Sequence, residues 1–154
     1  MPSTRVFGFQ IWNDGLVNFK QKLGLCLGPK ISVEIPNIFL VSKDLKAAVV
    51  RGIFDTDGCV YLEKKNGKLY PRMEIRTISL RLAEQLKNIY TDLGLRATMH
   101  QDHMQLIGNK RISYCVIIRG IEMFHKFMQI ITPANSKHVI KYLFFRERSD
   151  PAKN

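Results

Sequence analysis

Acidic residues are scarce in this 154-residue chain: 13 Asp and Glu stand against 24 Lys and Arg, a net charge of +11. Such a field repels cationic partners and attracts polyanions, nucleic acid first and an anionic membrane surface second. Cysteine is also sparse, with Cys26, Cys59 and Cys115 far apart and no Cys-x-x-Cys pair, which argues against a zinc ribbon or a disulfide framework. No apolar run reaches the roughly 20 residues that span a bilayer. The opening MPSTRVFGFQIWND lacks the basic-then-apolar layout of a secretion signal. A soluble, intracellular, cytoplasmic protein with no membrane partner is the expectation. Hydrophobic residues at 45% and charged residues at 24% suit a folded chain, and the length suits one domain, 1–154.

Strand and helix patterns alternate. VFGFQIW reads as a strand, Asn13 or Asp14 as a cap, and LVNFKQKLGL as a short helix closed near Gly24. GPKISVEIP alternates like a strand stopped by Pro36. Ser42 then caps SKDLKAAVVRGIFDTDG, a helix with Gly58 as its terminating glycine. Leu45, Val49 and Ile53 mark one face, and Ala48, Gly52 and Thr56 form a stripe of small residues beside it that permits close helix packing. Arg51 should face away from that seam.

Beyond Gly58 the period becomes two. CVYLEKK, the turn NGK and LYPRMEIRT form a hairpin. Val60, Leu62, Leu69, Met73 and Ile75 share a core face; Tyr61, Glu63, Lys65, Lys68, Tyr70, Arg72, Glu74 and Arg76 share a wet one. Ser79 caps SLRLAEQLKNIYTDLGL, a second hairpin runs from RATMHQDHMQL through IGNK to RISYCVIIRG, and helical IEMFHKFMQII and SKHVIKYLFFRER follow. His100 and His103 point to opposite faces of a strand and form no metal pair. Residues 7–35 echo the strand, cap, helix, Leu-Gly-Leu, strand order of the later unit, so 1–40 reads as a partial β-α-β repeat ahead of a core unit at 41–150. That copy has no acidic motif of its own.

The acidic motif of the core unit is RGIFDTDG, residues 51–58. A calcium loop would need oxygen ligands at alternate positions and a closing glutamate, and only Asp55 and Asp57 fit before the chain turns into a strand. IFDTDGCVYL also resembles the Asp-x-Asp-Gly signature of haloacid-dehalogenase-like phosphatases. Those enzymes need further acids downstream for magnesium, which this chain lacks, and KDLKAAVV reads as a helix rather than a strand.

The longer segment AAVVRGIFDTDG resembles the LAGLIDADG homing endonuclease family, with Gly52, Asp55, Asp57 and Gly58 matching its nine-letter motif and Ile53 and Phe54 conservative. The element order agrees with the family's αββαββα fold over roughly 42–147, an α+β architecture with an antiparallel DNA-binding sheet. LGLCLGPKISVEIP is similar to the segment that leads into the second motif of two-motif members and inteins. The resemblance implies a double-stranded DNA endonuclease in which two motif helices meet along their small-residue faces, here Ala48, Gly52, Ile53 and Thr56. Their last acids would hold a divalent cation, with Asp57 and the Thr56 carbonyl as ligands to Mg2+. Arg81 and Lys137 stand where members often carry active-site basic groups. Thr77 stands where a water-orienting glutamine is frequent, and Ile78 where a lysine is common. Asp55 reads as a capping or packing residue.

DNA recognition would fall to the wet face: Arg72 and Arg76 toward guanine edges, Lys65 and Lys68 toward phosphates, Tyr61 and Tyr70 toward sugars or thymine methyls. Arg96, Thr98 and His100 would extend that surface. One motif per chain implies a homodimer on a pseudo-palindromic target. A non-cleaving DNA-binding or maturase-like remnant of a two-motif protein is the alternative.

Overall fold

A computed structural model describes residues 11–25, 30–106 and 109–149. A first helix, α1 (Asp14–Lys22), is capped by Asn13, whose side chain accepts from the Leu16 N–H. It ends at Gly24 with φ +83°, where the Gly24 and Leu25 amides donate to the Gln21 and Lys20 carbonyls. No residue of α1 is buried. The strand expected before α1 falls mostly outside the described residues.

The strand expected at 28–36 does not form where the chain is described. Residues Lys30–Ser32 make a 3-10 turn, and 33–36 run on without a strand partner. Side chains of the following unit satisfy this segment instead. Gln85 accepts from the Ile35 N–H at 2.7 Å and donates to the Ile35 carbonyl at 3.0 Å, while Ser79 Oγ donates to the Val33 carbonyl at 2.6 Å. Ile35 thereby enters the core. The helix Leu80–Asp92 closes in the same way as α1, with Gly94 at φ +72° and the Leu95 amide donating to the Tyr90 carbonyl.

Helix α2 (Lys43–Asp57) starts at Ser42, whose Oγ accepts from the Leu45 N–H. Its buried residues are Val50 and Phe54, each adding about 1.5–3 kcal/mol by leaving water. The face of Leu45, Val49 and Ile53 is only partly covered. Gly58 follows with φ −82°, extended rather than left-handed, and opens the first strand, β1 (Gly58–Lys65). Only glycine fits there, because a Cβ would overlap the Phe54 ring and its carbonyl oxygen.

Strands β1 (Gly58–Lys65) and β2 (Lys68–Thr77) are joined by Asn66 and Gly67, both at positive φ, as a two-residue hairpin turn requires. Helix α3 (Leu80–Asp92), capped by Ser79, leads to β3 (Ala97–Leu106) and β4 (Asn109–Arg119), then α4 (Ile121–Ile131) and α5 (Ser136–Ser149). Among the described residues all pairings are antiparallel and the strand order is β1-β2-β4-β3. Val60, Met73, Ile75, Val116 and Ile118 meet the helices in one core. At its centre Phe54 stands edge-on to Phe127, ring centroids 4.7 Å apart. Among the described residues no helix is long and apolar enough to cross a membrane.

Candidate metal and nucleic-acid site

The two aspartates of the motif have different surroundings. Asp55 turns toward the loop between α4 and α5, where its carboxylate accepts from the Ala134 N–H at 3.0 Å and the Asn135 N–H at 3.1 Å. Asn135 Nδ2 returns a hydrogen bond to the Asp55 carbonyl at 2.8 Å. An anion against unpaired amides just ahead of a helix is favourable electrostatically as well as by geometry. Asp55 therefore ties α5 to α2. His138, buried in α5, reinforces the joint: its Nε2 lies 3.1 Å from the Phe54 carbonyl. Burial pushes its pKa below the ordinary histidine value, outweighing that hydrogen bond and the nearby Asp55 charge.

Asp57 is exposed at the last position of α2, and no side-chain hydrogen bond or ion pair holds it among the described residues. A groove of about 620 Å³ brings it together with Val49 and Ile53 of α2, Arg76 and Thr77 of β2, and Glu34. Thr77 accepts from the Ser79 N–H at 3.1 Å and so closes the turn into α3. Thr56 Oγ1 donates to the Gly52 and Ile53 carbonyls, both at 3.1 Å. Its own carbonyl lies in the last helical turn, where carbonyls have no partner within the helix.

Ala48, Gly52 and Thr56 are exposed, and a Cβ at Gly52 would meet nothing within 4 Å. Arg51 turns the other way, donating to the Ile131 carbonyl at 2.7 Å and to Thr132 Oγ1, which closes the end of α4. The two basic candidates lie outside the groove. Arg81, exposed early in α3, pairs with Glu34 at 3.3 Å, a surface contact of small worth. Lys137 is exposed in the first turn of α5.

The pairing register sorts the open face of the sheet into rows. Tyr61 lies beside Arg72 and Arg72 beside Arg119; Cys59, Glu74, Ile117 and Thr98 form the next row; Arg76, Cys115 and His100 the third. Tyr61, Tyr70, Lys65, Lys68, His100 and Arg96 are exposed. Arg96 pairs with Glu122 at 3.4 Å, and Thr98 accepts from Arg119 at 3.2 Å. Arg72 lies over the Tyr61 ring at 4.8 Å and pairs with Glu63 at 2.7 Å. Arg119 completes the row of cations. Its place two residues from Ile117 on an alternating strand was the signal for it.

Hard oxygen donors such as Asp57 and the Thr56 carbonyl suit a magnesium-like cation. Among the described residues no group of three or more His, Cys, Asp or Glu gathers to hold one. What one chain offers such an ion is two oxygen donors, the Asp57 carboxylate and the Thr56 carbonyl, at the end of α2.

A helix that ends in an exposed acid beside an antiparallel four-stranded sheet, in repeated αββ order, defines an α+β domain. The Asp-x-Asp pair closes a helix and every strand pairing is antiparallel, so the phosphatase arrangement, with its acids after a strand, does not apply. Residues 44–132, from the first turn of α2 to the end of α4, match the model of the LAGLIDADG-like domain, and the chain belongs to the LAGLIDADG homing endonuclease family. Membership places it among homing endonucleases and related DNA-binding proteins. Comparison with curated proteins gives no match.

Proposed function

We propose that this protein is a site-specific endonuclease for double-stranded DNA that hydrolyses phosphodiester bonds as a homodimer. One observation carries the reading: of the two motif acids, Asp55 is consumed by the α4–α5 loop while Asp57 is exposed at the end of a helix whose small-residue face is open. A second copy packing along Ala48, Gly52, Ile53 and Thr56 would bring two Asp57 carboxylates and two Thr56 carbonyls to one seam. Isologous packing of this kind pairs equivalent half-sites, so the target would be roughly palindromic.

Asp57 and the Thr56 carbonyl would hold the divalent cation, Mg2+ by the chemistry of the donors. When bound, such an ion supplies an activated water and stabilises charge on the scissile phosphate. The sheet face holds the duplex: Lys65 and Lys68 on phosphates, Tyr61, Tyr70, Arg72 and Arg76 toward the groove, with Arg96, Thr98 and His100 at its far side. Thr77 lines the same groove as Asp57 and positions a water near it. Arg81 and Lys137 serve as outer cations on the DNA path.

Asp57→Asn removes the charge that holds the ion and keeps the fold. On duplexes enriched from a random pool, wild type should cut only with Mg2+, and Asp57→Asn should bind within about twofold of wild type without cutting. Equal cutting by both chains would refute the role of Asp57. Binding without cutting by wild type would favour a non-cleaving maturase-like or regulatory protein.

A further inference from the structure

An acid sits in the middle of the face that should meet a polyanion. Glu74, on the inner strand β2, is 8% exposed. One carboxylate oxygen accepts from Arg76 Nη2 at 3.1 Å; the other lies 3.5 Å from Arg72 Nε, a charge contact without a hydrogen bond, which leaves that buried nitrogen without a hydrogen-bond partner among the described residues. Each arginine is gripped from its far side as well. Arg72 meets Glu63 at 2.7 Å, and Arg76 meets Asp102 at 2.7 Å. Charges therefore alternate along the face in the order Glu63, Arg72, Glu74, Arg76, Asp102. Small, buried Ser113 and Cys115 on β4 lie between Arg76 and Asp102 and let β2 and β3 side chains meet across that strand.

Stability gives little reason for this arrangement. A buried ion pair is commonly no better than apolar side chains of the same volume, and three acids on this face weaken its attraction for phosphate. What the arrangement does supply is direction. Arg76, hydrogen-bonded by acids on two sides, keeps its guanidinium plane, while Arg72 is set by Glu63 and drawn by the Glu74 charge; base-edge recognition by arginine depends on that planar fork.

We infer that Glu74 is a positioning residue that sets the directions of Arg72 and Arg76, raising the sequence selectivity of the DNA face while lowering its affinity for duplex in general. The inference rests on the DNA-binding reading above. Its signature is a split that a structural role would not produce: neutralising Glu74 loosens discrimination and leaves or strengthens binding to unselected duplex.

The test uses the full chain, a randomised duplex pool, the duplex that wild type enriches from it, and a scrambled duplex of equal length and composition. Glu74→Gln keeps the size and one acceptor oxygen. Its ratio of affinities, enriched over scrambled, should fall about tenfold, the discrimination expected of one well-formed arginine–guanine contact. Affinity for the scrambled duplex should stay or rise. Asp102→Asn, at the exposed end of the same chain of charges, should lower the ratio by about threefold and serves if Glu74→Gln does not fold. A ratio unchanged in the folded variants, or affinities for both duplexes falling in parallel, would overturn the inference while leaving DNA binding intact. Failure of wild type to enrich any duplex would overturn the DNA-binding reading and this inference with it.

Discussion

Replacing Asp55 should cost fold stability, whereas replacing Asp57 should not. In Asp55→Ala the Ala134 and Asn135 amides lose a charged acceptor at 3.0–3.1 Å. A hydrogen bond to a charged group contributes about 1.5–3 kcal/mol when buried, and helix-capping contacts contribute about 0.5–2 kcal/mol. The Ala134 amide is exposed and water replaces its partner, while the Asn135 amide is half-buried. The loss should therefore be about 2 kcal/mol. For a chain of 154 residues that is a fall in Tm of roughly 4–8 °C, read by circular dichroism. Asp55→Asn keeps an acceptor oxygen and should lose about half as much. Asp57→Asn, at an exposed side chain, should stay within about 0.5 kcal/mol of wild type. A shift below about 1 °C for Asp55→Ala, or equal shifts for both aspartates, would refute the division of labour between them.

Two other outcomes follow from the surface and from the α2–α5 joint. If Lys65 and Lys68 meet phosphates, replacing each with alanine should reduce the salt slope of duplex binding by about one, measured from 50 to 200 mM salt; an unchanged slope removes that lysine from the interface. Burial keeps the His138 pKa depressed in the folded chain, while the unfolded chain takes up its proton near pH 6.5. The contribution is thus complete above pH 6.5 and is lost as pH falls, by at most about 1.4 kcal/mol per pH unit until the folded pKa is passed. His138→Gln should show less loss of Tm between pH 7.5 and 5 than wild type, and an identical loss would contradict the linkage.

Local rules made much of the core unit readable. Ser42 and Ser79 cap helices because their side chains reach amides three residues on, and Asn66-Gly67 turns because both residues accept positive φ. Period two sorted β1 and β2 correctly into core and open faces. The misreadings came where distant chain decides. Gly58 is required by the Phe54 ring rather than by a left-handed cap. The apolar alternation at 30–36 looks like a strand, yet its amides and carbonyls are met by Ser79 and Gln85, about 50 residues on. The acidic grip on Arg76 needs β3 on the far side of β4, two strands from β2, an order that no periodicity states. Asp55 and Asp57 look alike in the motif, and only the α4–α5 loop separates their roles.

The solution mass of wild type and Gly52→Leu, by light scattering, tests most directly the claim that two Asp57 side chains meet at the open face of α2. In one chain a Cβ at position 52 meets nothing within 4 Å, the position is exposed, and leucine improves helix propensity, so the fold should hold. The account predicts twice the chain mass for wild type and a single chain mass, equally folded, for Gly52→Leu. Wild type at a single chain mass, or a dimer that Gly52→Leu leaves whole, would contradict it.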